Sequence, residues 1–324
     1  MTQKATIGII GAAGYTGSEL LRLLVHHSNV NIAFATSRTH AGTAISDVFP
    51  DLKGDINIKF TEDFQTGADL IFLCLPHKQS NIWLETHSIP TNTKVIDLGN
   101  DFRIKNNSAL GQFTYGLPEV HQEHISGSQL VANPGCFATA IQLALLPLAQ
   151  AQLLNTVNTT GITGSTGAGV SLQPTTHFTW RNNNISAYKT LQHQHVEEIL
   201  HTLQPLNKQR IDLHFVPWRG DFTRGIFTSS TVSIHFDINQ IQELYNDFYS
   251  NNPFVHVSTQ NIDLKQVVNT NKCLIHLEKV DHQLVIHSAI DNLIKGASGQ
   301  AVHNMNLMFN WPVHTGLKLK ASVY

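Results

Sequence analysis

A two-domain α/β fold is predicted, and three observations carry the prediction. The chain has 324 residues, more than one hydrophobic core usually serves. Its first part strings continuous apolar runs between helix-like segments, the pattern of a parallel sheet covered on both faces. A glycine-rich loop lies at the first strand-to-helix junction, where open parallel sheets hold ligands. Composition fits a globular protein: 41% of residues are hydrophobic and 14% charged, so there is ample apolar surface to bury. The net charge of −2 comes without a basic stripe, so neither nucleic acid nor an anionic membrane is an expected partner. No apolar run reaches the roughly 18 residues of a membrane span. Met1-Thr2-Gln3-Lys4 leads straight into a strand pattern, so no signal peptide is expected. Three cysteines, Cys74, Cys136 and Cys273, have no metal-like spacing, which points to a reducing cytoplasm.

The elements follow in order. Ala5-Thr6-Ile7-Gly8-Ile9-Ile10 reads as a buried strand, and Gly11-Ala12-Ala13-Gly14-Tyr15-Thr16-Gly17 follows at once. Ser18 through Leu24 is helix-like, and Val30 through Ala35 is a second strand. This β-loop-α-β order is the context in which a glycine loop binds a dinucleotide: glycines allow the tight turn and bring backbone N–H groups to a pyrophosphate. The second strand ends in Thr36-Ser37-Arg38. An acid there would bind a ribose 2′-hydroxyl; a hydroxyl with an arginine suits a 2′-phosphate, so NADP is favoured over NAD. Ala68 through Leu75 and Lys94 through Gly99 are further buried strands. Cys74 is structural on this reading, and His77 and Lys78 lie at the strand mouth, within reach of a cofactor.

In the second half, Thr159 through Gly169 is a strand running into a Gly/Ser/Thr loop, which could hold an oxyanion in a backbone nest. Thr228 through Phe236 and Val280 through Ala289 read as antiparallel strands. Gly296 through Met308 reads as a helix with an apolar stripe at Ala301, Met305 and Met308.

Two stretches carry chemistry. In Asn133-Pro134-Gly135-Cys136-Phe137-Ala138-Thr139-Ala140 a Pro-Gly turn precedes an apolar helix running through Leu146. Cys136 then lies at the first helical turn, where free N–H groups and the helix dipole lower a thiol pKa and prepare a nucleophile. In Tyr188 through Leu200, a helix opening, His195 and Glu198 are three apart and share a face. A carboxylate beside an imidazole fixes its tautomer, and the imidazole serves as base toward a thiol or acid toward an alkoxide. His193-Gln194-His195 also raises zinc, but no further ligands follow at the usual spacing and no metal is expected.

Together these residues resemble the N-acetyl-γ-glutamyl-phosphate reductases of arginine biosynthesis, relatives of aspartate-semialdehyde dehydrogenase. The resemblance runs over nearly the whole chain: Gly11 to Gly17, Asp97-Leu98 with Asp101-Phe102-Arg103, Tyr115-Gly116-Leu117-Pro118-Glu119, Asn133 to Cys136, Thr163 to Gly169, His193-Gln194-His195 with Glu198, Arg224-Gly225-Ile226, and Asp291-Asn292-Leu293 with Lys295-Gly296-Ala297. It implies a Rossmann-type NADP-binding domain, 1–135 completed by a C-terminal helix 297–324, and an α+β catalytic and dimerisation domain of the semialdehyde dehydrogenase type, 136–296. It implies a homodimer or homotetramer that reduces an acyl phosphate to an aldehyde with NADPH through a thioester on Cys136. The expected catalytic residues are Cys136, His193, His195 and Glu198, with His193 favoured as acid/base. Expected at the cofactor are Gly11, Ala13, Gly14, Tyr15, Thr16, Gly17, Ser37, Arg38, Pro76, Ser165, Gly167 and Asn292. Expected at the substrate are Arg103, Asn133, Arg219 and Arg224.

The sequence also departs from the family. Gln194 stands where an arginine is common, Val170 ends the Thr166-Gly167-Ala168-Gly169 loop where another is common, and Gly99-Asn100 replaces Ser-Ala. Arg219 is new in Pro217-Trp218-Arg219-Gly220-Asp221-Phe222-Thr223. A rebuilt pocket for an N-succinyl group, with its extra carboxylate, is therefore the alternative to an N-acetyl group. The other rivals are an aspartyl or aminoadipyl phosphate reductase and a catalytically silent NADP-binding regulator. The last predicts loss of the nucleophile or its partners, and all are present.

Overall fold

Buried aliphatic runs become the strands of a parallel sheet in the computed structural model, which describes residues 4–322. The chain divides into two compact units: one runs to Pro134 and takes in Ala297–Lys318, and the other is Gly135–Gly296 with the chain from Leu319.

In the first unit β1 (Ala5–Ile10) leads into α1 (Tyr15–Leu24), which buries Leu20, Leu21, Leu23 and Leu24. Then come β2 (Val30–Ala35), β3 (Leu70–Leu73), α2 (Ser80–Thr86), β4 (Lys94–Asp97), β5 (Thr114–Tyr115), α3 (Pro118–Ser126) and β6 (Leu130–Ala132). The strand order is β2-β1-β3-β4-β6-β5, and every pair is parallel. All four residues of β3 are buried, which explains why this strand reads as unbroken apolar sequence. Cys74 lies just beyond its end, and burial pushes its thiol up to about 12, an inert state. Phe102 and Phe113 stack at 4.2 Å beneath the sheet. Burying each such side chain is worth about 1.5–3 kcal/mol.

The helix Gly299–Met308 packs in this unit and is buried on every side. The apolar stripe of Ala301, Met305 and Met308 is one face; on the others Gln300 and Asn304 donate to the Gly116 carbonyl, and Asn306 donates to Val313 and Thr315. The helix does not run to the end of the chain as expected. Asn310 adopts φ 54° and Pro312 has no N–H to continue the ladder. Beyond Lys318 the chain joins the second unit, where Ser322 donates to Val268.

The second unit opens with α4 (Cys136–Gln150), followed by β7 (Thr156–Thr163), β8 (Ser186–Ala187), α5 (His195–Leu203), β9 (Asp212–Arg219), β10 (Ile226–Ser233), α6 (Ile238–Tyr249), β11 (Val255–Ser258), β12 (Cys273–Val280) and β13 (Gln283–Ile290). The mixed sheet has the order β8-β9-β7-β10-β13-β12-β11. The helix α4 passes the expected stop at Leu146 despite Pro147. Proline removes the N–H that would bond the Leu143 carbonyl. The Tyr249 hydroxyl from α6 donates to that carbonyl instead, and Tyr245 donates to Ala144 at 2.6 Å. The single strand expected over 280–289 is a hairpin: β12 ends at Val280, Asp281 turns at φ 49°, and β13 returns antiparallel.

Candidate active site

The glycine loop of the first unit is built for close backbone approach. Gly11 has φ 77°, and a Cβ there would meet the Cys74 carbonyl at 2.6 Å, at the point where the β1 and β3 ends diverge. A Cβ on Gly17 would strike the Ala12 backbone at 2.5 Å, so only glycine lets α1 pack this tightly on the loop. Gly14 precedes α1 in extended conformation with no side-chain cap, and no acid sits in the first turn. Above it the space is open, since a Cβ there would meet only the Gly11 carbonyl at 3.8 Å. The first N–H groups of α1, over Tyr15, Thr16 and Gly17, thus form a cradle that fits a pyrophosphate. The Thr36 hydroxyl accepts from the Gly11 N–H at 3.1 Å and ties the end of β2 to the loop. Beyond it, Ser37 is buried and Arg38 exposed. Pro76 is exposed at the β3 exit.

Behind this crevice Asp97, fully buried at the end of β4, accepts from Ser80 Oγ at 2.6 Å and from the Gly99 N–H at 3.0 Å. Burial raises its pKa to about 6. Asp101 in turn accepts from the N–H groups of Lys78 and Asn81, locking the β3 exit to the β4 exit. The sequence displays this motif but not what its acids do.

In the second unit Cys136 is the first residue of α4, with Gly135 as an extended N-cap lacking a side-chain cap. The Gly135 N–H donates to Glu198 Oε1 at 2.8 Å, so a carboxylate from α5 seats the turn that carries Cys136. Gln142 reinforces the seat by donating to the Glu198 carbonyl. A Cβ on Gly296 would lie 2.8 Å from Cys136 Cβ; glycine leaves room for the thiol. His195 opens α5, with Nε2 4.0 Å from Glu198 Oε2.

His193 precedes the helix and is enclosed by the rings of Phe137, Tyr188, Phe215 and His195 at 4.6–5.8 Å. Burial, then the neighbouring His195, lowers its pKa to about 3. Its Nδ1 accepts the His195 N–H at 3.2 Å, so the neutral ring carries its proton on Nε2. Tyr188 is held protonated, up to about 12, by burial and then by the nearby Cys136 charge. Sequence reasoning missed Tyr188, Phe137 and Phe215; the inward positions of β9 alternate, and that period of two was the available signal.

Several residues expected at the ligands have partners within the protein. Asn133 is buried, donates to the Ala297 carbonyl and accepts from Asn304. Arg103 donates to the carbonyls of Asn133 and Leu98. Arg224 gives Nε and Nη2 to the buried carboxylate of Asp291. Asn292 accepts from the Gly225 N–H and donates to Thr166. The loop of Ser165 and Gly167 is no open nest: the N–H groups of 164, 165 and 166 donate to the carbonyls of Gly225, Phe222 and Thr223, and that of Gly167 to Gly164. These groups brace the site.

Residues 6–128 match a family model described as "Semialdehyde dehydrogenase, NAD binding domain", and residues 136–292 one described as "Semialdehyde dehydrogenase, dimerisation domain". The chain is 50% identical to the N-acetyl-gamma-glutamyl-phosphate reductase of Phocaeicola vulgatus, over 98% of this chain and 99% of that protein. It matches the protein of the same name from Flavobacterium johnsoniae at 50% over 98% of both. The chain belongs to the N-acetyl-γ-glutamyl-phosphate reductase family. Solved semialdehyde dehydrogenases share the fold of this family member: aspartate semialdehyde dehydrogenase II from Vibrio cholerae superposes with TM-score 0.76 at 17% identity, covering 95% of this chain and 99% of that one. An aspartate semialdehyde dehydrogenase with NADP from Candida albicans gives 0.70 at 13%, covering 94% and 99%. The loop from Gly11 to Gly17 thus lies within the residues that match the NAD-binding model. Among the described residues no helix is long and apolar enough to cross a membrane, and no group of three or more acids, histidines or cysteines could hold a metal ion.

Proposed function

We propose that the protein reduces N-acetyl-γ-glutamyl phosphate to N-acetylglutamate semialdehyde and phosphate in arginine biosynthesis, using NADPH. The observation that carries the reading is Cys136 at the first position of α4, its turn seated by Glu198, with His195 close to that same carboxylate and His193 against the ring of the next residue, Phe137. The names of relatives at 50% identity supply the substrate.

The helix dipole stabilises the Cys136 thiolate, which attacks the γ-acyl carbon. A C–S bond forms, the C–O bond to phosphate breaks, and inorganic phosphate leaves. NADPH held at the α1 loop would supply the hydride that reduces the resulting thioester carbon. The alkoxide then collapses to the aldehyde, and the C–S electrons return to sulfur. His193, neutral with its proton on Nε2, is suited to donate a hydrogen bond to the developing oxyanion and is a poor base at neutral pH. We assign proton transfer to His195, backed by Glu198, where the sequence favoured His193.

For the cofactor, Gly11, Ala13, Gly14, Tyr15, Thr16 and Gly17 would hold the pyrophosphate, and Ser37 with Arg38 the 2′-phosphate; Pro76 lies at the same mouth. We further propose a homodimer or homotetramer acting in a reducing cytoplasm. The match of the second unit to a dimerisation model supports the oligomer. The test is oxidation of N-acetylglutamate semialdehyde by purified protein, followed by nicotinamide absorbance. Turnover that needs both NADP+ and inorganic phosphate is expected. Turnover without phosphate, or none with this aldehyde, would overturn the reading.

A further inference from the structure

Four residues were expected to meet the substrate, and three of them have protein partners: Arg103 on backbone carbonyls, Asn133 on Ala297 and Asn304, Arg224 on Asp291. Arg219 is different. It is the last residue of β9, and its guanidinium lies over the ring of Tyr188 at 4.8 Å. That ring is 5.8 Å from His193, which touches Phe137, the residue after the nucleophile. Among the described residues no carboxylate pairs with Arg219, and its Nε is enclosed without an acceptor.

A second arginine sharpens the point. Arg181 is buried, and all five of its donors are used: Nε on Thr175, Nη1 on Asn184 and Arg219 carbonyls, Nη2 on Thr175 and the Ser186 hydroxyl. It adds charge and offers no donor. Two guanidinium groups therefore lie near each other: burial first, and then Arg219, lowers the Arg181 pKa. The acid that acts against them, Asp221, accepts from the Asn183 N–H through Oδ2. Arg219 is a half-buried cation that stacks on the Tyr188 ring and gives one hydrogen bond to its hydroxyl. A guanidinium so placed keeps further donors for an oxyanion.

Resting on the proposed reaction, we infer that Arg219 forms an oxyanion subsite beside Cys136, taking either the phosphoryl group of the acyl phosphate or a carboxylate of the acylated glutamate. Arg219 sits in the very stretch that departs from the family form, while the arginines common at 170 and 194 are replaced by Val170 and Gln194.

The test uses full-length Arg219→Met and Arg219→Gln, with Arg219→Lys as the conservative variant. Inorganic phosphate and N-acetylglutamate semialdehyde are varied separately in the oxidative direction, with NADP+ affinity as the check that the protein is intact. Removing a charge-assisted hydrogen bond predicts a KM rise of about tenfold or more, with kcat changed less and lysine recovering most of it. A rise for phosphate alone assigns the phosphoryl group; a rise for the semialdehyde alone assigns a carboxylate. Either supports the subsite. KM values for both within threefold of wild type, or equal losses in the lysine and neutral variants with NADP+ binding intact, would overturn it. Wild-type inactivity in the same assay would instead fail the proposed reaction.

Discussion

The helices α1 and α4 begin alike and serve different ends. Each follows an extended glycine, Gly14 at φ −77°, ψ 169° and Gly135 at φ −72°, ψ 151°; neither has a side-chain cap, and neither has an acid in its first turn. An uncapped start leaves its first N–H groups to an incoming partner, and the helix dipole favours an anion there. At α1 the space above Gly14 is open, so the anion must come with a ligand. At α4 the chain supplies its own, because Cys136 occupies the first position and a thiolate can form there. The α4 start also carries a carboxylate on its Gly135 N–H, which α1 lacks. On the proposed reaction, the same dipole would bind a cofactor in one unit and activate a nucleophile in the other.

The comparison breaks most sharply at the sulfur. Cys136→Ala should lower turnover by at least about a thousandfold, since removing a covalent nucleophile leaves only binding and oxyanion stabilisation. NADPH affinity, measured by fluorescence titration, should be unchanged. Turnover within tenfold of wild type would refute the covalent route. The converse change is Gly17→Val. Its side chain meets the Ala12 backbone and forces α1 off the loop. NADPH affinity should fall about tenfold or more, while iodoacetamide alkylation of Cys136 keeps its rate. A matching fall in alkylation would mean that the two helix starts are not separable.

A smaller effect is expected at the rim of the α1 site. Arg38→Ala removes a candidate contact to a 2′-phosphate, so NADPH should weaken by about tenfold and NADH hardly at all. Equal losses of the two would exclude that contact and reopen the choice of cofactor.

What the sequence could show follows the same division. The α1 loop was legible because backbone geometry demands glycine at Gly11 and Gly17, and glycine is visible in a sequence. The α4 start was legible because Pro134-Gly135 marks the turn before an apolar helix. Partner choice was not. A sequence displays the donors of Arg103, Arg224 and Asn292 but not whether protein or substrate accepts from them. Their acceptors lie 30 residues away for Arg103 and 67 for Arg224. Pro147 misled for the same reason, because the hydroxyl that replaces its missing N–H comes from Tyr249, 106 residues away from Leu143. The two histidines could not be ranked from spacing; the rings of Phe137, Tyr188 and Phe215 that set His193 apart come from three separate segments.

Those rings bear on a final difference between the two helix starts. A cationic imidazole beside α4 would add to the dipole and lower the thiol pKa further. The structure avoids this: His193 is held neutral, with its pKa lowered to about 3 by burial and by His195. In the unfolded chain the same ring titrates near 6.5. Between those values the unfolded state binds a proton that the folded state refuses, so stability must fall as pH drops from about 6.5 toward 3 and is unaffected by this group above 7. The slope from this residue approaches about 1.4 kcal/mol per pH unit within the window. Asp97 works oppositely there, since its raised pKa, about 6, lets the folded state hold a proton that the unfolded state gives up. His193→Asn should therefore lose stability less steeply than the wild type in urea unfolding between pH 7 and pH 5. Parallel curves for the two proteins would mean that His193 takes up its proton in the folded state, and that α4 has a cation at its start after all.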